Sequence, residues 1–400
     1  MADSVNRAAV KRKDTGRLTE AQMAPQPPPR KWRIAVAAPA LDFNGVTLYA
    51  VMLVKALQAQ GHEILVIAPT GPLKRELPTE GITFSKFDGG NPGFFAWRAL
   101  KAEVAEFAPD VLHAVVLDSG IAIKLAHALE IPLCVTVHGT GPGELPAPGD
   151  LKFDAYLAMD QAVRENLINA CRVPREMNTL IPTAAFALHA PDERHVLDPR
   201  TRPVVGCLGP LLPNTGHHAY VEAAFSLCAR QADLMFTILG TGPVRAEIRQ
   251  MIEDRGLLQR IVMVESLYDY SLAWQPFDIV YVDSRQPAAT SMALAAMSNG
   301  LPVVGSEGGV LFDVIEDGVD GVLVARDNGQ ALADKLLTLV QQPAERLRLG
   351  KSAFADVETM HTPAAMVAAL SEAYAAMVAG EPLPKASDGT SIRRAARAQA

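Results

Sequence analysis

Cysteine is scarce: Cys134, Cys171, Cys207 and Cys228 are the only four in 400 residues. They lie far apart without metal-ligand spacing, and three fall in or beside apolar runs. That suits buried, reduced thiols and excludes a disulfide framework. An excess of basic charge is also missing. A net charge of −7 and a pI near 5.8 argue against nucleic acid as a partner, which calls for a concentrated basic face. No uninterrupted apolar run approaches the roughly eighteen residues that cross a bilayer. Residues 1–31 carry Lys11, Arg12 and Lys13, then Pro25, Pro27, Pro28 and Pro29, with no apolar segment between. A disordered leader is expected there, not a signal peptide. Finally, the first strand–helix turn lacks Gly-x-Gly-x-x-Gly, so a nicotinamide or flavin is disfavoured and no cofactor is expected.

What is present is apolar material for two cores. Hydrophobic residues make up 49% of the chain, and this length is normally divided between two domains of roughly 150–200 residues. Ile34–Ala38 reads as a buried parallel strand, Val46–Gln60 as a helix ended by Gly61, and Ile64–Ala68 as the next strand. The alternation continues through a helix at 99–107, a strand at 111–117 ending at Asp118, and a strand at 133–137 ending at His138-Gly139. It resumes with Val204–Leu208, a helix at 218–231, strands at 234–239 and 261–264, and a helix at 244–255. Repeated strand–helix–strand units imply an α/β fold with doubly wound sheets. Ligands of such sheets gather at the carboxyl ends of strands, where Asp118 and His138 stand.

The stretch Val282–Val304 is a strand end, a loop, a helix and another strand. Its tail, Ala296-Met297-Ser298-Asn299-Gly300-Leu301-Pro302-Val303-Val304, stops a helix with glycine and opens a strand after proline. It resembles the nucleotide-sugar site of GT-B glycosyltransferases, in particular the large retaining family 4. His138-Gly139 after an apolar strand, and Glu316-Asp317-Gly318-Val319-Asp320-Gly321-Val322-Leu323-Val324, are similar to further family motifs. The resemblance covers roughly residues 32–380.

It implies a GT-B fold, two doubly wound Rossmann-like domains facing a cleft. The boundaries it implies are a leader at 1–31, an acceptor-side domain at 32–186 and a linker at 187–202. A donor-side domain at 203–363, a helix at 364–380 crossing back to the first domain and a basic tail at 381–400 follow. It further implies transfer of a sugar from a nucleotide-diphosphate donor to a glycan or lipid-linked acceptor, in cell-envelope polysaccharide or glycoconjugate synthesis. His138 would face the reacting sugar. Gly45, Gly209, Gly216 and Gly242 would line the donor loops, although a plain helix-start glycine remains an equal reading of Gly45. Thr290 and Ser291, at a helix start, would cap the helix or meet a phosphate, and Arg285 and Gln286 lie beside the loop.

Four charged positions of the family frame are neutral here. The diphosphate arginine and lysine are Pro210 and Thr215, and the paired glutamates are Pro287 and Ala295. Each charged hydrogen bond is worth about 1.5–3 kcal/mol, so losing two cations costs roughly two to four decades in rate. Arg285, Gln286 and Glu265 are the candidate substitutes. The alternative implied is a catalytically silent homologue that binds a glycan or a partner glycosyltransferase; a nucleotide-sugar epimerase is a third. Phe94-Phe95-Ala96-Trp97-Arg98 with Lys101 sets aromatics beside basic residues, an expectation of peripheral membrane contact or else of core packing. The expected location is the cytoplasm, extending to the inner face of the membrane.

Overall fold

A computed structural model describes residues 30–42, 44–140, 144–185, 189–265 and 273–385. Residues 1–29 of the expected leader and 386–400 of the expected basic tail lie outside the described residues. The first half runs β1 (Arg33–Ala37), α1 (Gly45–Ala59), β2 (Glu63–Ile67), β3 (Ile82–Phe84), α2 (Phe94–Phe107), β4 (Val111–Ala114) and α3 (Gly120–Leu129). It continues with β5 (Leu133–Val137), β6 (Ala155–Ala158), α4 (Gln161–Asn169) and β7 (Asn178–Leu180). After a short α5 (Glu193–Leu197) come β8 (Val204–Leu208), α6 (His217–Ala229), β9 (Met235–Leu239), α7 (Arg245–Asp254), β10 (Ile261–Val264), β11 (Ile279–Val282) and α8 (Ala289–Ser298). The chain ends with β12 (Val303–Ser306), α9 (Gly309–Phe312), β13 (Val322–Val324), α10 (Gly329–Gln341), α11 (Pro343–Met360) and α12 (Pro363–Ala379).

These elements build two doubly wound sheets. The first has seven strands ordered β3-β2-β1-β4-β5-β6-β7, and the second has six ordered β10-β9-β8-β11-β12-β13. Every pairing is parallel in the first and in the second. Parallel strands buried on both faces need continuous apolar runs, and Ile34–Ala37, Leu133–Val137 and Ile279–Val282 supply them. The strand order reverses between β1 and β4 and again between β8 and β11. Those are the crevices where ligands of open sheets bind.

One apolar cluster joins the halves. It contains Ile34, Val36 and most of α1 from the first, and Leu208, Val280 and Met292–Met297 from the second. Helices α1 and α8 are buried nearly all round because each is packed between its own sheet and the other half. Helix α12 follows the second sheet yet packs on α1, and its Tyr374 hydroxyl lies 2.7 Å from His113 Nδ1 on β4. Beyond it, Thr179 on β7 donates to the Pro384 carbonyl.

Two elements differ from the sequence expectation. Helix α2 starts at Phe94, five residues earlier than expected, because Gly93 opens it and its first turn carries no buried residue to signal periodicity. The second is an apolar stretch that polar residues interrupt, so no unbroken run marks it in the sequence. Pro343–Ala379 holds an eighteen-residue window of mean hydropathy 1.2, sufficient by length and composition for a membrane span. In the fold it is two helices parted at 361–362, with Met366, Val367, Leu370, Ala373 and Tyr374 buried.

Candidate functional site

At the first crevice, Asn44 caps α1 by accepting from the Thr47 N–H at 3.0 Å. A Cβ added to Gly45 would stand 2.7 Å from the Ala288 carbonyl oxygen and 2.9 Å from that of Pro287. Glycine is therefore required at the start of α1 by close approach of the loop before α8. The carboxyl ends of both sheets meet at this point.

His138 directly follows β5. Its Nε2 lies 2.7 Å from the Val115 carbonyl oxygen, which can only accept, so Nε2 carries the hydrogen and Nδ1 is a bare acceptor. That Nδ1 is buried and has no partner among the described residues. Burial pushes the imidazole pKa down to about 4, against an opposing contribution from the Val115 bond, so the ring is neutral at physiological pH. Tyr49 from α1 meets the ring edge-on at 4.9 Å. Behind it a buried chain runs from the Tyr49 hydroxyl to Thr136 (3.0 Å), His113 (2.7 Å) and Tyr374 (2.7 Å). Burial, and then the nearby His138, push His113 down to about 3. Asp118 is exposed, four residues past the end of β4. Beside His138, a Cβ on Gly139 would lie 2.6 Å from Glu144 Oε2, which brings to the site a carboxylate that the sequence reading passed over as part of a loop.

At the second crevice the glycine turns interlock. A Cβ on Gly240 or Gly242 would run into the Gly209 or Leu211 carbonyl, and the Leu211 N–H donates to the Thr241 carbonyl at 2.9 Å. Gly242 is thus held by packing of one turn on another. Gly216 opens α6 with φ of 76°, and a Cβ there would strike the carboxylate of Asp283. At the missing lysine, the Thr215 hydroxyl gives its proton to the Leu212 carbonyl at 2.7 Å. His217 Nδ1, 3.0 Å from that hydroxyl, must then donate to it, which leaves Nε2 as a second bare, buried acceptor. Burial lowers His217 to about 4, with the Asp283 carboxylate partly opposing.

Arg285 is committed elsewhere. Its Nε and Nη2 bind Asp283 at 2.9 and 3.0 Å, and Nη1 and Nη2 bind Asp327 at 3.0 and 2.6 Å. Those bonds, Asp283's first, raise its pKa and fix it as a clamp between the loops after β11 and β13. Glu265 is exposed and paired with Arg245 at 2.9 Å. Thr290 and Ser291 are both buried, but neither caps α8: the cap is Ala288 at φ 52°, without a side-chain bond. A turn closed by Gln286 N–H to Asp283 and Ala289 N–H to Gln286 brings the chain into the helix before Thr290, which leaves both hydroxyls inside the first turn. The Thr290 hydroxyl reaches the Val310 carbonyl at 3.4 Å, and Ser291 Oγ has no partner among the described residues. Ala295, at the second missing glutamate, lies in the shared apolar cluster. Gln286 is 3% exposed, with both amide heteroatoms lacking partners among the described residues. Among the described residues no three His, Cys, Asp or Glu side chains form a metal-binding group.

Two family models match: "Glycosyl transferases group 1" over residues 191–356 and "Glycosyltransferase Family 4" over residues 43–185. An alpha-D-kanosaminyltransferase of Streptomyces kanamyceticus is 29% identical over 163 residues, which are 40% of this chain and 42% of that protein. The match thus spans less than half of that relative's length. A GDP-mannose-dependent alpha-mannosyltransferase of Mycolicibacterium smegmatis is 26% identical over 80% of this chain and 91% of its own. The structure of HepE from Anabaena in complex with UDP-glucose superposes with a TM-score of 0.70 at 19% identity, covering 86% of this chain and 99% of that one.

Proposed function

We propose, since the chain belongs to the GT-B family 4 glycosyltransferases, that it transfers a sugar from a nucleotide-diphosphate donor in polysaccharide or glycoconjugate synthesis. One observation carries the reading: Gly45 meets the Pro287 and Ala288 carbonyls, so the ligand-binding ends of two nucleotide-type sheets are brought together. The acceptor-side half would present the bare Nδ1 of neutral His138, which can accept a hydrogen bond from a sugar hydroxyl. The donor-side half would present the first-turn N–H groups of α6 and α8, which favour negative charge without a side-chain cation. With Pro210 and Thr215 in place of the usual cations and Arg285 held by two carboxylates, the donor site is rearranged and chiefly neutral.

The test is thermal shift with UDP, GDP, UDP-glucose and GDP-mannose, followed by assays of transfer. A ligand at a hundred times its Kd should stabilise the protein by about 2.7 kcal/mol. A positive shift with transfer abolished by His138→Ala supports the enzyme. No shift with any of the four at millimolar concentration sinks it, and favours the silent homologue.

Peripheral membrane contact extends the proposal to a lipid-linked acceptor. Phe94 and Phe95 are 68% and 83% exposed, and the Arg98 guanidinium lies 5.8 Å from the Phe94 ring centroid. Trp97, by contrast, packs against the first sheet's core. Phe94→Ala with Phe95→Ala is expected to lower co-sedimentation with anionic liposomes; unchanged sedimentation of that variant dismisses the contact.

A further inference from the structure

We infer that Gln286 is the donor-binding residue of the second crevice, its amide taking the place of the absent cations by donating Nε2–H to the diphosphate of a nucleotide sugar. The inference rests on the proposed transferase reading and deepens it. Gln286 sits where the strand order reverses, on the loop after β11, and its Oε1 lies 2.9 Å from where a Cβ of Gly209, on the turn after β8, would be. The ligand of a doubly wound sheet is gripped by these two loops. Neither amide atom has a partner among the described residues, and folded proteins rarely leave a buried polar group uncompensated. Neighbouring groups leave that role to Gln286. Arg285 is turned to Asp283 and Asp327, Thr215 donates to Leu212, and His217 presents a lone pair, which repels phosphate.

An amide in this position makes a definite prediction, because it adds no net charge. Wild type, Gln286→Met and Gln286→Glu are compared by thermal denaturation alone and with UDP or GDP. Methionine keeps the volume and removes the unpaired amide, so free Gln286→Met should melt at or above the wild-type temperature. Its nucleotide affinity should fall roughly tenfold to a hundredfold, the worth of one hydrogen bond to a charged group. Gln286→Glu keeps the shape, sets a carboxylate against the diphosphate, and should abolish the nucleotide shift. Either variant responding to nucleotide like wild type overturns the inference while the transferase reading stands. So does a fall in the melting temperature of free Gln286→Met, which would show the amide to be structural. A wild type that ignores both nucleotides overturns both.

Discussion

His138, His217 and His113 are buried rings whose protonation the fold opposes, with pKa values near 4, 4 and 3. Their ordinary value is near 6.5, so between roughly pH 6.5 and 4 the unfolded chain binds protons that the native one refuses. Stability must fall as pH drops through that window. Asp160, which caps α4 by accepting from Val163 N–H, works in the opposite sense: burial raises it to about 7, and it favours folding at lower pH. Three rings against one carboxyl leaves a net loss, expected as a melting temperature lower on the order of 10 °C at pH 4.5 than at pH 7.5. A melting temperature that is flat or rising toward acid would contradict the burial of these rings. Within pH 5.5–8 the His138 ring stays neutral, so His138→Ala should cut transfer by a similar factor throughout that range while nucleotide affinity holds. Removing Arg285 has a different signature. Asp283, fully buried, would lose its cation, and Arg285→Ala should destabilise by roughly 2–3 kcal/mol in denaturant unfolding. A silent Arg285→Ala in that experiment would mean the clamp is ornamental.

At the scale of elements, the packing of α8 leaves little room for a carboxylate at position 295. Ala295 is 8% exposed and packed in the cluster shared with α1. Restoring the family carboxylate with Ala295→Glu would bury an unpaired charge, expected to cost about 3 kcal/mol or more and to give no gain in nucleotide affinity. A variant as stable as wild type that binds donor more tightly would show room for a ribose clamp after all. The central strands were legible in the sequence because parallel strands are unbroken apolar runs, and the boundaries of β1, β5 and β8 needed little correction. Edge strand β3, only Ile82-Thr83-Phe84, offers too short a run to read. Gly209 and Gly216 were visible as turn glycines, but their partners were not. That Gln286 lies on Gly209 and Asp283 under Gly216 depends on contacts between loops some seventy residues apart, which no local pattern carries. Arg285 stands in the sequence as a candidate substitute for the missing cations, and its engagement is hidden for the same reason: Asp327, forty-two positions away, takes it.

Across the whole molecule, the two sheets are one folding problem. Interfaces between domains that move freely are small and polar, whereas here α1, α8 and α12 share a continuous apolar interior with residues from both sheets. Calorimetry should therefore show one cooperative transition; two resolved peaks would mean the halves unfold independently. The two-sheet architecture itself followed from length and alternation, while the joint core did not, because α1 and α8 read merely as apolar helices.

Tyr374, on the last helix, closes the hydrogen-bonded chain that begins at Tyr49. Ribosomes deliver α12 about 180 residues after β7 is finished. At ~5–20 residues per second, that leaves the surface of α1 and β4 that α12 covers open for roughly ten to forty seconds. That surface is then a natural target for chaperones, and a stop codon placed before α12 would yield a sticky, short-lived fragment in place of a working half.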